Sequence, residues 1–324
     1  MKRLVSGIKP TGELHLGNYL GAIKQFVDLQ NDYDCFFFIA DYHALTIRPT
    51  AKDLSYLTRH VAAMLIACGV DPKNTTYFLQ SDISEHTELA WILSNFVSMG
   101  ALNRMTQYKE KSDRHGQNAG LFTYPVLMAA DVLLYDAEVV PVGDDQVQHL
   151  ELARELVRSF NAHAEKTFIE PKPLLNTGAR IMALNDPKHK MSKSIPGSAI
   201  TLLDDETAVT QTIKRAVTDS DPGAKEMSPA VKNLFTILEG IGNRETYLRL
   251  ENQYKDGTLR YSELKEQLID DVIAFLGPIQ KTYHALLKDE DALVQILEEG
   301  RKKAQPIAAE TLAKAKKALG LIVG

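Results

Sequence analysis

Residues 6 to 24 read SGIKPTGELHLGNYLGAIK, the pattern of a strand end, a loop and the start of a helix. Gly7, Pro10 and Gly12 are residues that typically punctuate such a loop. After them, apolar residues recur from Leu16 onward at the spacing of one face of a helix. This stretch therefore predicts a β-strand, a connecting loop and a helix that begins near Leu16.

The predicted helix start has the features of an anion site. His15 and Asn18 are three residues apart, so both lie on one face of the helix. Unpaired backbone N–H groups and the positive end of the helix dipole favour an anionic ligand there, such as a phosphate. Gly17 leaves the backbone uncovered, so a flat ligand can approach closely. An ordinary βα turn with a closely packed helix accounts for the same residues equally well.

The chain up to about residue 190 alternates strand and helix patterns. Cys35–Ala40 is a continuous apolar run, as expected of a parallel strand that is covered on both faces. Further strands are predicted at 75–79 and 138–142, with helical patterns between them, one of which is predicted to begin at Pro125. This alternation predicts an α/β fold with a doubly wound, Rossmann-like parallel sheet, in which ligands bind at the carboxyl ends of the strands.

Beyond that point the pattern is almost wholly helical. Apart from a brief segment at 199–203 we find no further convincing strand, and two of the later helices are predicted to begin at Pro278 and Pro306. The shift predicts two domains: an α/β catalytic domain at residues 1–192 and a smaller, all-helical domain at residues 193–324.

The composition is that of a folded globular protein: 324 residues, of which 44% are hydrophobic and 24% charged. The net charge of −5 disfavours a nonspecific nucleic-acid coat and requires any RNA contact to come from a local basic surface. Cys35 and Cys68 are predicted to be small buried residues rather than a disulfide or a metal site, which favours the cytoplasm. The sequence shows no signal peptide, and its apolar run at Cys35–Ala40 is far too short to span a bilayer.

A second stretch, KMSKS at residues 190–194, places two ammonium groups and two hydroxyls in one segment. Turn residues follow at Pro196 and Gly197, so the segment is predicted to be a mobile cationic loop. Two lysines at this spacing are, by themselves, typical of solvated surface charge.

Taken together, HLGN at 15–18 and KMSKS at 190–194 resemble the paired signatures of the class I aminoacyl-tRNA synthetases. KMSKS matches letter for letter, whereas Asn18 stands where that family usually has its second histidine. Four further motifs narrow the resemblance to the bacterial tryptophanyl-tRNA synthetases: GIKPTG at 7–12, MTQYK at 105–109, YPVLMAAD at 124–131 and GDDQ at 143–146.

The resemblance implies a tryptophan–tRNA ligase. Such an enzyme activates L-tryptophan with ATP and Mg²⁺ to tryptophanyl-adenylate and pyrophosphate, and then transfers tryptophan to the terminal adenosine of tRNA(Trp). The resemblance also implies a homodimer, for which the helices around residues 85–112 are the predicted interface. It further implies a helical part that binds the anticodon and a last helix that packs back on the α/β domain. Two alternatives stay open: a tyrosine-specific enzyme of the same family, and a regulatory paralogue with altered catalysis.

Activation of an amino acid requires groups that stabilise the charge moving onto pyrophosphate. The predicted catalytic residues are polar or cationic groups suited to phosphates: His15, Asn18, Lys111, Lys190 and Lys193. The resemblance adds further residues that are expected to bind ATP: Lys9, Pro10, Thr11, Gly17, Gly143, Asp144, Asp145, Ile181, Met191, Ser192 and Ser194. No protein residue is predicted to be a metal ligand.

Asp131 lies at the end of an apolar, helix-like run. The predicted choice of amino acid depends on this residue. Its carboxylate is either solvated or a buried acceptor at the bottom of an apolar pocket. In the second case it matches an indole N–H, which is only a donor, and phenylalanine would be rejected by roughly 10⁴ or more because it leaves the acceptor unpaired. The tyrosine hydroxyl also donates, so pocket depth must discriminate against it. The resemblance completes the predicted amino-acid pocket with Val5, His43, Tyr124, Met128 and Gln146.

Two positions depart from the family pattern. Lys9 stands where many relatives have Gln, and Val5 stands where many have Phe. Lys9 adds a cation beside the predicted ATP site, with the expected effect of stronger phosphate binding or altered tolerance of the amino acid's own ammonium group. Val5 makes one wall of the predicted pocket smaller.

Overall fold

The structure is a computed structural model that describes residues 1–106, 118–143, 146–175, 178–193, 195–219 and 226–322. Within these ranges, five strands form one sheet. The strands are β1 (Arg3–Ile8), β2 (Asp34–Ile39), β3 (Thr76–Leu79), β4 (Val139–Val142) and β5 (Lys172–Leu175). They lie in the order β3-β2-β1-β4-β5, and each pair is parallel. The predicted doubly wound parallel sheet is confirmed.

The edge strand β5 was not predicted from the sequence. Its residues read KPLL, a run of four that includes Pro173, and both features argue against a strand in a sequence pattern. Proline is tolerated here because β5 pairs on one side only, with β4. The strand predicted at 199–203 is absent from the described residues, where Thr201 instead makes an isolated antiparallel bridge with His15.

The helices of the first half connect the strands. The first, α1, runs through three consecutive segments: Leu16–Asn18, a π-helical turn at Tyr19–Ile23, and Lys24–Leu29. The others are α2 (Asp41–Ala44), α3 (Ala51–Ala67), α4 (Glu85–Ser94), α5 (Met99–Asn103), α6 (Ala119–Leu133) and α7 (Val147–His163). Short 3₁₀ turns lie at Leu45–Ile47 and Gln80–Asp82.

The second half is helical, with α8 (Glu206–Lys214), α9 (Pro229–Ile241), α10 (Arg244–Lys255), α11 (Tyr261–Lys288) and α12 (Glu290–Ala318). None of the helices in the described part of the chain is long and apolar enough to cross a membrane.

Three predicted helix starts are wrong, because Pro125, Pro278 and Pro306 lie inside helices. The α6 helix begins after Asn118, whose side-chain oxygen accepts the Leu121 N–H at 2.8 Å. An internal proline removes one backbone donor, which packing along a long helix can offset. The sequence pattern therefore divided α11 in two and began α6 and α12 too late.

The two faces of the sheet are covered by two hydrophobic clusters. Alternate residues of β2 point to opposite sides, with Phe36 and Phe38 in one cluster and Phe37 and Ile39 in the other. The Phe37 cluster extends through α3 into α9 and α11, and the Phe38 cluster includes alanines of α12. The helices of the second half thus share the core of the sheet, and the division at residue 192 stays a prediction.

The last described helix packs directly on the sheet. Gly300 of α12 lies against the backbone of Tyr77 in β3, where a Cβ would overlap the Tyr77 carbonyl group. Only glycine allows so close an approach of helix and strand.

Candidate active site

A cavity of about 320 Å³ opens between β1, β2, β4 and α6. Its walls include Val5 and Gly7 of β1, Phe38 of β2 and Val142 of β4. The strand order reverses between β1 and β4, which is the position where doubly wound sheets bind their ligands. The topology therefore points to this cavity as a ligand site.

The structure brings the predicted amino-acid pocket together at this cavity. All six residues predicted for that pocket line it: Val5, His43, Tyr124, Met128, Asp131 and Gln146. Lys9 also lies in the wall, where its ammonium group donates to Thr46 Oγ1 at 3.1 Å. Lys9, which was predicted to bind ATP, therefore shares this cavity with the six residues of the predicted amino-acid pocket.

Asp131 is the polar centre of the cavity and is only 2% exposed. Its Oδ2 accepts a hydrogen bond from His43 Nε2 at 2.7 Å. Its Oδ1 accepts two, from His86 Nδ1 and from Gln80 Nε2, both at 2.7 Å. Because a carboxylate only accepts, the bonded nitrogen of each ring must carry the hydrogen.

These contacts keep Asp131 ionised. Burial by itself raises the pKa of Asp131, but the charge and hydrogen bond of His43, together with His86, lower it to about 2. A carboxylate offers about four acceptor positions, and the described residues use three of them. The fourth belongs to Oδ2, so the cavity presents one negatively charged acceptor to a ligand.

The remaining walls near Asp131 are mainly apolar, and the sequence did not predict them: Gly7, Phe38, Leu121, Val132, Val140 and Val142. A Cβ at Gly7 would lie 2.5 Å from the Phe38 ring, so glycine is needed for this wall to form. The hydroxyl of Tyr124, which also lines the cavity, donates to His149 Nε2 at 2.6 Å when that nitrogen is unprotonated. An enclosure of this kind suits a flat apolar side chain with one donor.

The helix start and the lysine segment lie together. The chain just after KMSKS runs beside HLGN, with Leu16 N–H donating to the Ile200 carbonyl and Leu202 N–H donating to the Leu14 carbonyl, both at 2.9 Å. Lys193 Nζ lies 2.6 Å from Glu13 Oε2. Two segments far apart in sequence thus meet at the start of α1.

Met191 anchors the lysine segment. Its side chain is 2% exposed and its N–H donates to the Ile181 carbonyl at 3.0 Å, whereas Lys190 and Lys193 on either side of it are exposed. A Cβ at Gly17 would lie 3.3 Å from Met191 Cβ and 3.0 Å from the His15 ring, so Gly17 lets the two segments meet.

The start of α1 is fixed by its own side chains. Asn18 Oδ1 accepts the His15 N–H at 3.0 Å. His15 is buried, and this burial, together with the charge of Lys190, lowers the pKa of His15 to about 4. The imidazole is therefore neutral at pH 7 and offers hydrogen bonds, while Lys190 and Lys193 offer charge.

The other residues predicted for ATP differ in their exposure. Pro10 and Ile181 are buried, Ser192 and Gly143 are half-buried, and Thr11 is exposed. Four predicted residues lie outside the described part of the chain: Lys111, Asp144, Asp145 and Ser194.

The sequence missed the residues that surround Asp131. His86 and Tyr135 are both fully buried, and Gln80 is too. The only signal for His86 was its spacing from Leu89 and Leu93 along the apolar face of α4, which is more typical of a core residue than of a site. Glu13, the partner of Lys193, gave no signal because a single loop carboxylate is usually solvated.

The family of tRNA synthetases class I (W and Y) matches residues 1–277. The chain belongs to this family. This class I synthetase is 48% identical to a protein of Oceanobacillus iheyensis and 45% identical to one of Caldanaerobacter subterraneus, both named tryptophan–tRNA ligase. The alignments cover 99% and 100% of the chain and 99% of each relative. The resemblance predicted from the motifs is thus confirmed.

A solved structure supports the same relationship. The tryptophanyl-tRNA synthetase of Campylobacter jejuni, complexed with ADP and tryptophan, is 37% identical and superposes with a TM-score of 0.88. The match covers 98% of this class I synthetase and 100% of that chain.

Proposed function

We propose that this chain is a tryptophan–tRNA ligase. It activates L-tryptophan with ATP, releasing pyrophosphate, and transfers the tryptophan from the adenylate to the 3′-terminal adenosine of tRNA(Trp). The relatives with the same name, aligned over their full length, support this function. Neither a tyrosine-specific enzyme nor a regulatory paralogue has comparable support.

The observation that supports the proposal is that Asp131 is a buried, ionised carboxylate in the wall of the cavity. An indole N–H donates once and accepts nothing, so it matches the single acceptor position on Oδ2. A tyrosine hydroxyl could donate to the same oxygen, but its own lone pairs would need a donor. The His43 Nε2–H, which lies beside that oxygen, is already bonded to Asp131. Phenylalanine would leave a buried charge without its fourth partner.

Activation needs no covalent enzyme intermediate. An oxygen of the tryptophan carboxylate attacks the α-phosphorus of ATP and forms a new P–O bond. The bond from the α-phosphorus to the bridging oxygen breaks, and its electron pair leaves with pyrophosphate. Stabilising that developing charge lowers the barrier, and donors placed in advance do so most effectively.

In the proposed site, neutral His15 and Asn18 donate to the phosphates from the start of α1. Lys190 and Lys193 supply positive charge from the other side. Mg²⁺ enters with ATP as part of the substrate, since magnesium is commonly held by phosphates with few protein ligands. In the described residues, no group of three or more His, Cys, Asp or Glu side chains is positioned to hold a metal.

We propose that residues 193–324 bind the anticodon region of tRNA. On α10, the exposed Arg244 guanidinium lies over the Tyr247 ring, 5.2 Å from its centroid. Arginine and aromatic planes of this kind can stack with unpaired bases. Changing Arg244 to Ala should raise the KM for tRNA(Trp) in charging while leaving pyrophosphate exchange unchanged.

We also propose a homodimer in the cytoplasm. A groove of about 380 Å³ lies beside α4 and α6, and Trp91 and Leu45 in its lining are 73% and 49% exposed. Exposed apolar surfaces of this kind typically mark an interface. Cys35 and Cys68, both buried free thiols, are compatible with a reducing compartment.

The exchange of labelled pyrophosphate into ATP tests the function. Exchange should depend on tryptophan and should be weaker by orders of magnitude with tyrosine or phenylalanine. The purified enzyme should then charge tRNA(Trp). Equal or faster exchange with tyrosine would overturn the proposed substrate, and no exchange with any amino acid would overturn the proposed reaction.

A further inference from the structure

A buried chain of hydrogen bonds extends from Asp131 away from the cavity. His86 Nδ1 donates to Asp131 Oδ1 at 2.7 Å, and His86 Nε2 lies 2.7 Å from the Tyr135 hydroxyl. His86 and Tyr135 are both 0% exposed, and neither lines the cavity. These side chains therefore reach a ligand only through Asp131.

The two partners fix the His86 ring. The carboxylate can only accept, so Nδ1 carries a hydrogen, and in the neutral ring the Tyr135 O–H donates to Nε2. A flipped ring would direct carbon atoms at both partners. The rings of Phe38 and Phe78 also confine it, with centroids 5.7 and 6.2 Å away. His86 thus has one orientation in the core.

Gln80 completes the arrangement on the same oxygen. Its Nε2 donates to Asp131 Oδ1 at 2.7 Å, while its Oε1 is buried without a hydrogen-bond partner among the described residues. A buried acceptor without a partner costs stability. Gln80 nevertheless occupies this position, where its single hydrogen bond holds Asp131.

With two donors on Oδ1, the carboxylate cannot rotate to offer either oxygen to a ligand. The one acceptor position that the described residues leave unused is on Oδ2, beside His43. A hydrogen-bonding group held in advance discriminates more sharply between ligands than one that must reorganise.

We propose that His86, held by Tyr135, is a positioning residue that makes Asp131 selective for a ring N–H donor. This inference rests on the proposed function. It predicts that His86 controls how strongly the enzyme distinguishes tryptophan from an isosteric amino acid that lacks the N–H.

The test compares tryptophan with β-(benzothiophen-3-yl)alanine, in which sulfur replaces the indole N–H. The readout is the ratio of kcat/KM for the two amino acids in pyrophosphate exchange. In the wild type this ratio should be on the order of 10⁴ in favour of tryptophan. The His86→Phe variant should lower the ratio by about ten- to a hundredfold, because one hydrogen bond to a charged group is lost.

Two further variants separate positioning from packing. In His86→Asn the amide nitrogen takes roughly the place of Nδ1, so this variant should retain most of the discrimination. Tyr135→Phe removes only the outer hydroxyl and should lower the ratio by about two- to tenfold. The KM for ATP should stay at the wild-type value in all three variants, because other residues form the nucleotide surface.

Tyr77→Phe is the matched control. It also removes a fully buried hydroxyl with one hydrogen bond, to the Ala62 carbonyl at 3.0 Å, but it does not contact the Asp131 network. It should leave the ratio unchanged even if it lowers the melting temperature.

The outcomes are distinct. A wild type that does not exchange pyrophosphate with tryptophan overturns the proposed function and this inference with it. An active wild type whose ratio is unchanged in His86→Phe overturns the inference alone. If His86→Phe does not fold, Tyr135→Phe decides, and a ratio equal to that of Tyr77→Phe overturns the inference.

Discussion

Lys193 Nζ lies 2.6 Å from Glu13 Oε2, so the lysine segment is held by an ion pair on the loop that leads into α1. Both side chains are partly exposed, at 50% and 37%. In the proposed mechanism Lys193 must leave this carboxylate to reach the phosphates of ATP. The lysine segment therefore contacts the loop before α1 through an ion pair that competes with the proposed contact of Lys193 to ATP.

Changing Glu13 to Gln should strengthen ATP binding. Removing the competing carboxylate frees the Lys193 ammonium, and a partly exposed ion pair contributes roughly 0.2–1 kcal/mol. The KM for ATP should therefore fall by about one-and-a-half- to fivefold in pyrophosphate exchange, and the difference from the wild type should shrink as salt is added. A KM for ATP that rises in the variant would contradict the competition.

Changing Lys193 to Ala should slow activation far more than it weakens tryptophan binding. The charge matters most when pyrophosphate leaves, and loss of one such stabilising group typically costs about 10²–10³ in kcat. Rapid-quench measurement of adenylate formation and equilibrium binding of tryptophan separate the two effects. Lys188→Ala, another exposed lysine just before the segment, is the control and should be near wild type. An equal loss of rate and tryptophan affinity would refute the assignment.

Acid should destabilise the enzyme through His15. Burial and the charge of Lys190 lower the pKa of His15 from its ordinary value of 6.5 to about 4. Below pH 6.5 the His15 ring therefore becomes protonated in the unfolded chain while it stays neutral in the folded chain. The free energy of unfolding falls between pH 6.5 and 4 by up to about 3 kcal/mol. Denaturant unfolding of His15→Asn should show a smaller loss over this window.

Part of the acid effect should persist in that variant. Burial also lowers the pKa of His60, so its protonation opposes folding in the same direction. His284→Asn, which alters an exposed ring on α11, is the control for loss of a histidine from the surface. If His15→Asn shows the same slope as the control, burial of a neutral His15 is not the cause.

Changing Trp91 to Lys should disrupt the proposed homodimer. Trp91 is the single tryptophan of the chain and is 73% exposed in the isolated subunit. Sedimentation should give a dimer for the wild type and a monomer for the variant, and the wild-type fluorescence should shift to the red on dilution. A wild type that sediments as a monomer at micromolar concentration would rule the dimer out.

Strands and helices could be predicted from the sequence where all residues of a run share one environment, such as the interior of the sheet. The continuous apolar run of β2 predicted a strand that is covered on both faces, as observed. The β5 strand lacked this signal because it is short, contains Pro173 and lies at an edge. The sequence pattern divided or shortened the helices that contain Pro125, Pro278 and Pro306. These helices continue through their prolines because tertiary packing stabilises them, and a local pattern carries no information on that packing.

The sequence predicted residues that line the cavity but not the residues behind them that hold Asp131. An acid at the end of an apolar run pointed to Asp131, and the family resemblance supplied the other residues that were predicted for its pocket. The residues that hold Asp131 come from the 3₁₀ turn after β3, from α4 and from just beyond α6. Their convergence depends on long-range packing. In sequence, buried His86 and Tyr135 resemble ordinary core residues.

A crystal structure with tryptophan, Mg²⁺ and a non-hydrolysable ATP analogue tests the central claim most directly. The account predicts the triphosphate between Asn18 at the start of α1 and the ammonium groups of Lys190 and Lys193, with the indole N–H within hydrogen-bonding distance of Asp131 Oδ2. A nucleotide bound away from the start of α1, or an indole nitrogen directed away from Asp131, would contradict it.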